Sequence, residues 1–198
     1  MQAFKAKTII KLAMSYIPTN KDIAVMAVYR LGGSLRYVHM EDVAMKAAQL
    51  APKKFRWKKY PEQINLEAVR VTLKNELGAT SGRVAGGIRH GWMLTPKGFQ
   101  WCTATDRGEE HQVAIGRVRN EIERAKNTAA YAKAYAGRQS GVTVAELEAL
   151  LRVDHYSTAR YRRERALALA NAAELDEELR AALSSLRERG FDQLEVKG

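Results

Sequence analysis

Between Asn65 and Trp101 the periodicity of the sequence changes twice, and this constrains the fold more than any other feature. NLEAVRVTLKNEL reads as a helix, GATSGRVAGGIRHGWMLT as a hairpin and PKGFQWC as a closing helix. Asn65 can cap the first helix by accepting a backbone N–H, and Ile64 with Val69 can staple its entry. Gly78 is the expected stop. At about 100° per residue, Leu66, Val69, Leu73 and Leu77 share one stripe, the expected core face. The opposite face carries Ala68, Val71, Thr72 and Asn75, flanked by Glu67, Arg70 and Lys74. Such methyl and amide groups suit a major groove, where a methyl can contact the thymine methyl and Asn can pair two-pronged with adenine. They equally suit packing against protein. In the hairpin, Gly86-Gly87 is the expected turn pair, because tight hairpin turns need positive φ. Arg83, Arg89 and His90 are then expected near the tip. Trp92, Leu94 and Phe99 should point inward and Met93 away, and Thr95-Pro96 can open the closing helix.

The segments before this unit are shorter. Pro18-Thr19-Asn20 ends an N-terminal segment, expected to be a docking helix, and offers a cap for the next helix. Asp22 near that start suits the helix dipole. Ile23, Ala27 and Leu31 recur at helical spacing, and Gly32-Gly33 closes the helix. Leu35 to Val38 is strand-like. A further helix begins near Glu41 and Asp42, buries Val43, Ala47 and Leu50, and stops before Pro52. The following insert, PKKFRWKKYPEQ, interleaves Lys53, Lys54, Arg56, Lys58 and Lys59 with Phe55, Trp57 and Tyr60. Alternating cations and aromatics can grip phosphates while the rings anchor the loop or stack on a base. The plainer alternative is a connection whose aromatics plug the core.

This order of helices, short strand, hairpin and closing helix resembles a winged helix-turn-helix domain of the bacterial regulator type. The residues that carry the likeness are MAVYRLGG, YVHMEDVAMKAAQL, NLEAVRVTLKNEL and GWMLTPKG. WMLTPKG is similar to the "x-LT-x-x-G" that ends the wing in many such regulators. The likeness spans about residues 20–102. It implies that the helix from Asn65 enters the major groove and that Arg83 and Arg89 of the wing reach a minor groove or phosphates. Two departures are the long insert between the second and third helices and the Gly86-Gly87 pair in the wing.

Charge divides the chain. Up to Thr105 there are 17 Lys+Arg against 6 Asp+Glu; from Asp106 onward there are 16 against 16, so the whole net charge of +11 lies in the first half. The sequence therefore predicts a basic nucleic-acid-binding domain at 1–105 and a helical interaction region at 106–198. In the second half, Ile115, Val118, Ile122, Ala125, Ala129, Ala132 and Ala136 step as a heptad seam. A long helix ending near Gly137 is expected, as a dimer seam, one arm of a helical hairpin, or a helix packed on its own domain. Thr143 and Glu146 form a capping box, with Val142 and Leu147 as its staple. Residues 143–165 are a candidate second helix-turn-helix, with Arg160, Arg162, Arg163 and Arg165 after its turn. The plainer reading is a solvated arginine face, or salt bridges to the many glutamates that follow. Leu175, Leu179, Ala182 and Leu186 mark a last amphipathic helix, stopped by Gly190.

Other chemistry finds little support. The single Cys102 rules out an intrachain disulfide and any multi-thiolate zinc site, and the four histidines are scattered, so no metal or cofactor is expected. GRVAGG lacks the lysine and hydroxyl of a P-loop, Ser81 lacks a nucleophile-elbow frame, and no catalytic set is predicted. No apolar run approaches the roughly 20 residues of a membrane span, and the chain is read as cytoplasmic. The fold class expected is mainly α with a small β wing: a winged helix-turn-helix domain followed by a coiled-coil or helical-hairpin half. The expected function is sequence-specific binding of double-stranded DNA by a homodimeric transcriptional regulator. The alternatives are an interaction subunit of a DNA-processing or defence assembly and an RNA-binding protein. The expected DNA contacts are Lys53, Lys54, Arg56, Lys58, Lys59, Ala68, Arg70, Val71, Thr72, Lys74, Asn75, Arg83, Arg89 and His90.

Overall fold

The structure, a computed structural model, describes residues 18–77, 82–106 and 108–187. The expected N-terminal docking helix and the stops at Gly78 and Gly190 lie outside the described residues. The architecture is mainly helical, with one two-stranded antiparallel sheet.

Helix α1 (Asn20–Arg30) starts at a capping box in which the Thr19 hydroxyl accepts from the Asp22 N–H (3.2 Å) and the Asp22 carboxylate accepts from the Thr19 N–H (2.8 Å). Helix α2 (Met40–Leu50) is capped by His39 and buries Val43, Ala44, Ala47 and Ala48. Asn65 caps α3 (Leu66–Leu77), its side-chain oxygen accepting from the Ala68 N–H at 3.0 Å. Strands β1 (Val84–Gly87) and β2 (Gly91–Leu94) follow, then α4 (Pro96–Thr105), capped by Thr95 with proline at its start. The strand-like segment near Tyr37 contributes one bridge, in which Val38 and Trp92 exchange backbone hydrogen bonds of 2.9 and 2.8 Å.

The hairpin register corrects the expected turn. Gly87 pairs with Gly91, so the turn is Ile88–Arg89–His90, not Gly86-Gly87. Glycine is needed beside the turn for closeness as well as for φ. Gly91 has φ of +84°, and a Cβ there would stand 2.5 Å from the Val38 carbonyl oxygen. Met93, expected to face away, is fully buried. All four residues of β2 are buried, so neither face of the strand meets water, and the second half of the chain closes over its end. The Asn171 amide donates to the carbonyls of Ser34 (2.8 Å) and Leu94 (3.0 Å), so the helix that carries it lies over this edge of the sheet.

That helix is α8 (Ala159–Ala173). It follows α5 (Glu109–Lys126), α6 (Ala129–Tyr135), a short 3-10 turn and α7 (Val144–Leu151), and precedes α9 (Glu177–Arg187). The capping box of Thr143 and Glu146 forms as expected. The predicted seam holds only through α5, where Ile115, Val118, Ile122 and Ala125 are buried. The helix then breaks at Asn127–Thr128, and Thr128 caps a new helix. The break turns the face, so α6 buries Ala130, Tyr131 and Ala134 while Ala129, Ala132 and Ala136 are exposed. The buried part of the seam packs against the chain itself, with α8 across α5, as the last of the three alternatives, a helix packed on its own domain, expects.

One hydrophobic cluster runs from Ile23 to Leu186 through both halves. The change of charge at residues 105/106 therefore falls inside packed structure. Arg30 grips Asp106 with two hydrogen bonds of 2.9 Å, and the Tyr29 hydroxyl lies 2.9 Å from His111 Nδ1. Burial alone would raise the Asp106 carboxyl. The Arg30 hydrogen bonds, the Gly108 N–H and the nearby positive charges outweigh it and hold Asp106 below the usual range.

Candidate nucleic-acid interface

The core side of α3 consists of Val69, Leu73 and Glu76, not the predicted Leu66, Val69, Leu73 and Leu77. Leu66 (42%) and Leu77 (44%) are exposed. A glutamate takes a core position because Arg83 meets it there. Arg83 donates from Nε to Glu76 Oε1 (2.7 Å) and from Nη2 to Glu76 Oε2 (3.1 Å). Its Nη1 donates to Asp22 Oδ1 (2.8 Å), and its guanidinium lies 4.4 Å from the centre of the Trp101 ring. Burial alone would lower the pKa of Arg83, but the hydrogen bonds and charges of Glu76 and Asp22 outweigh it and raise the pKa. Arg83 therefore sits at the base of the hairpin and ties α1, α3 and α4 together. This corrects its expected place at the tip: two acids, one far away in sequence, capture it before it can reach solvent.

Turning α3 about its axis moves the exposed face. Its centre is Val71 (41% exposed), with Glu67, Lys74 and Asn75 around it. Arg70 is paired with Glu67, and that hydrogen bond holds the Glu67 carboxyl below its usual range. Ala68 is half-buried against the core. The Thr72 hydroxyl donates to the Ala68 carbonyl (2.7 Å) and so turns into the helix. Of the expected reading set, Val71, Lys74 and Asn75 stand clear; Ala68, Arg70 and Thr72 are partly engaged within the protein.

The insert is a tied loop. Phe55 is fully buried, whereas Trp57 and Tyr60 are each 48% exposed. Arg56 donates to the carbonyls of Pro61 (3.1 Å) and Glu62 (2.9 Å), and backbone bonds join Trp57 to Gln63 and Asn65 to Phe55. Phe55 plugs the core, as the plainer alternative expects, and Trp57 faces outward. Lys54 reaches the Pro18 carbonyl (2.6 Å), while Lys53, Lys58 and Lys59 are exposed. Pro52, Lys53, Arg56, Trp57, Lys58 and Pro61 line a shallow cleft of about 450 Å³.

At the hairpin tip Ile88, Arg89 and His90 are exposed. Beside them is a group that reading the first half alone missed. Arg160 of α8 donates from Nη2 to the His90 carbonyl (2.8 Å), with its guanidinium 5.6 Å from the centre of the Tyr37 ring. The four arginines after the turn of the 143–165 candidate separate. Arg162 and Arg165 are buried, Arg165 against Glu121 (2.5 Å) and the Leu151 carbonyl (3.1 Å). Arg160 and Arg163 are exposed. The alternation follows from α8 having one face in the core.

Among the described residues, no helix is long and apolar enough to cross a membrane, and no group of three His, Cys, Asp or Glu side chains is arranged to hold a metal ion. Comparison with known protein families, curated proteins and solved structures finds no match.

Proposed function

We propose that the first half is a winged helix-turn-helix domain that binds double-stranded DNA, with α3 in the major groove and the turn Ile88–Arg89–His90 against the backbone. The observation that carries this reading is the Val38–Trp92 bridge. It joins the segment between α1 and α2 to the hairpin after α3, which is the connection such a domain uses. The exposed Val71, Lys74 and Asn75 supply an apolar contact, a phosphate partner and an amide able to pair with adenine. Lys53, Lys58 and Lys59 add unpaired charge on the tied loop before α3. Base-edge contacts would then come from α3, and positioning contacts from the insert and the hairpin tip. A regulatory role follows from sequence preference, which selection of bound fragments from a random duplex pool measures directly. Binding to the selected duplex should weaken steeply with salt. Absence of duplex binding at low salt removes the proposal; tighter binding to RNA moves it to the RNA-binding alternative. The reading does not depend on a dimer, since one chain carries α3, the insert and the hairpin tip.

A further inference from the structure

Resting on that reading, we propose that the hairpin tip and the first turns of α8 form one composite surface for the phosphodiester backbone of duplex DNA, so that both halves of the chain contact the same strand. The sequence balance makes the second half neutral, but the fold sorts its charges. Six of its acids are engaged elsewhere: Asp106 with Arg30, Glu110 with Lys46, Glu121 with Arg124 and Arg165, Glu146 with Lys133, and Asp176 and Glu178 with Lys126. At the start of α8, Arg160 is directed instead at the hairpin. Arg160 is fastened to the carbonyl of the turn residue His90 and lies over Tyr37. Arg163, one turn further along, is exposed, and its charge acts on the same Tyr37 hydroxyl. The corner before α8 adds exposed His155 and Tyr156, the latter 82% exposed.

Two acids lie beside these arginines, which outnumber them: Glu164, whose negative charge acts on the same Tyr37 hydroxyl, and Asp154 in the corner before α8. Glu164 accepts from the Tyr37 N–H (3.4 Å), and Asp154 accepts from the Tyr156 N–H (3.0 Å) and the Ser157 hydroxyl (2.9 Å). Arg89, Arg160 and Arg163 thus present positive charge from two elements held to each other by a hydrogen bond. Such a rigid, basic, solvent-facing group fits a polyanion whose charges repeat every few ångströms. Because Arg160 is bonded to the turn itself, α8 also sets where the tip stands.

Arg163→Gln is the decisive variant, because Arg163 is exposed and its loss leaves the α8 core face intact. It is expected to weaken duplex binding about three- to ten-fold for all sequences and to lower the salt slope by about one. Arg138→Gln, on an exposed turn after α6, is expected to change neither. Contact is tested by His155→Cys and Arg89→Cys, each carrying a thiol-directed photo-crosslinker; the native Cys102 is fully buried and stays unlabelled. Crosslinks to duplex from both positions support the composite surface. An unchanged slope for Arg163→Gln, or crosslinks from position 89 alone, overturns it and leaves the α3 reading standing. No duplex binding by the native chain overturns both.

Discussion

The base and the tip of the hairpin hold arginines six residues apart in opposite situations. At the base, Arg83 is buried between Glu76 and Asp22 and against Trp101. At the tip, Arg89 stands in solvent with Ile88 and His90. Both are Arg in a glycine-rich stretch of one sign. What separates them is whether the fold brings carboxylates to the guanidinium. Asp22 is 61 residues from Arg83 and is fixed by its own role in the α1 cap. A basic run therefore overstates the charge offered to a ligand, and the surplus must be sorted residue by residue. The start of α8 repeats the lesson, with Arg162 and Arg165 turned inward and Arg160 and Arg163 outward.

The largest effect should come from the base. Arg83→Ala removes the buried guanidinium that Glu76 and Asp22 share and is expected to cost about 3–5 kcal/mol in chemical denaturation. If stability is unchanged and only DNA binding is lost, the contrast between base and tip is void. Glu121→Ala tests the matching cluster in the second half. It strands buried Arg165 and should cost about 3 kcal/mol. A cost below about 1 kcal/mol would mean that Arg165 is satisfied by the Leu151 carbonyl alone.

Smaller effects belong to the exposed side. Under the proposed function, Asn75→Ala should lose about 1–3 kcal/mol on the preferred duplex and little on random DNA. Equal losses on both would take base reading away from Asn75. Lys58→Ala should weaken all sequences alike and reduce the salt slope by about one. The smallest effect concerns acid. Asp106 has a folded-state pKa below its unfolded value of about 3.9, so its stabilisation is fully present above that value. It is lost as pH falls through the lower folded pKa. Asp106→Asn should flatten this part of the acid-unfolding curve and leave the shape above about pH 5 unaltered.

Much of the fold was legible because it rests on local chemistry. Thr19, Asn65, Thr95 and Thr143 cap helices where the sequence places them, since a cap needs only a side chain and a backbone N–H within three residues. Phe55, Val69 and Trp92 are buried because apolar surface leaves water wherever a core forms. The errors are all relational. A helical wheel puts Leu66 and Leu77 inside, because it cannot know that Arg83 will draw Glu76 into the core. A heptad count carries the seam on to Ala136, because it does not register that Thr128 restarts the helix. Alternation turns Met93 outward, because it cannot register that segments distant in sequence bury both faces of β2, whose four residues are all buried.

For the candidate interface, the sequence by itself determined which residues could carry charge to a ligand and that their surplus lies before residue 106. Ionisable groups and their number are properties of the chain, whatever its fold. Only the tertiary structure decided which of those charges remain free. Arg83, Arg162 and Arg165 became internal ties, Arg160 was brought to the hairpin tip beside Arg89, and Arg163 stayed exposed. The physical reason is range: a charge is neutralised or left exposed by groups within a few ångströms, and those neighbours are brought there by the packing of distant segments.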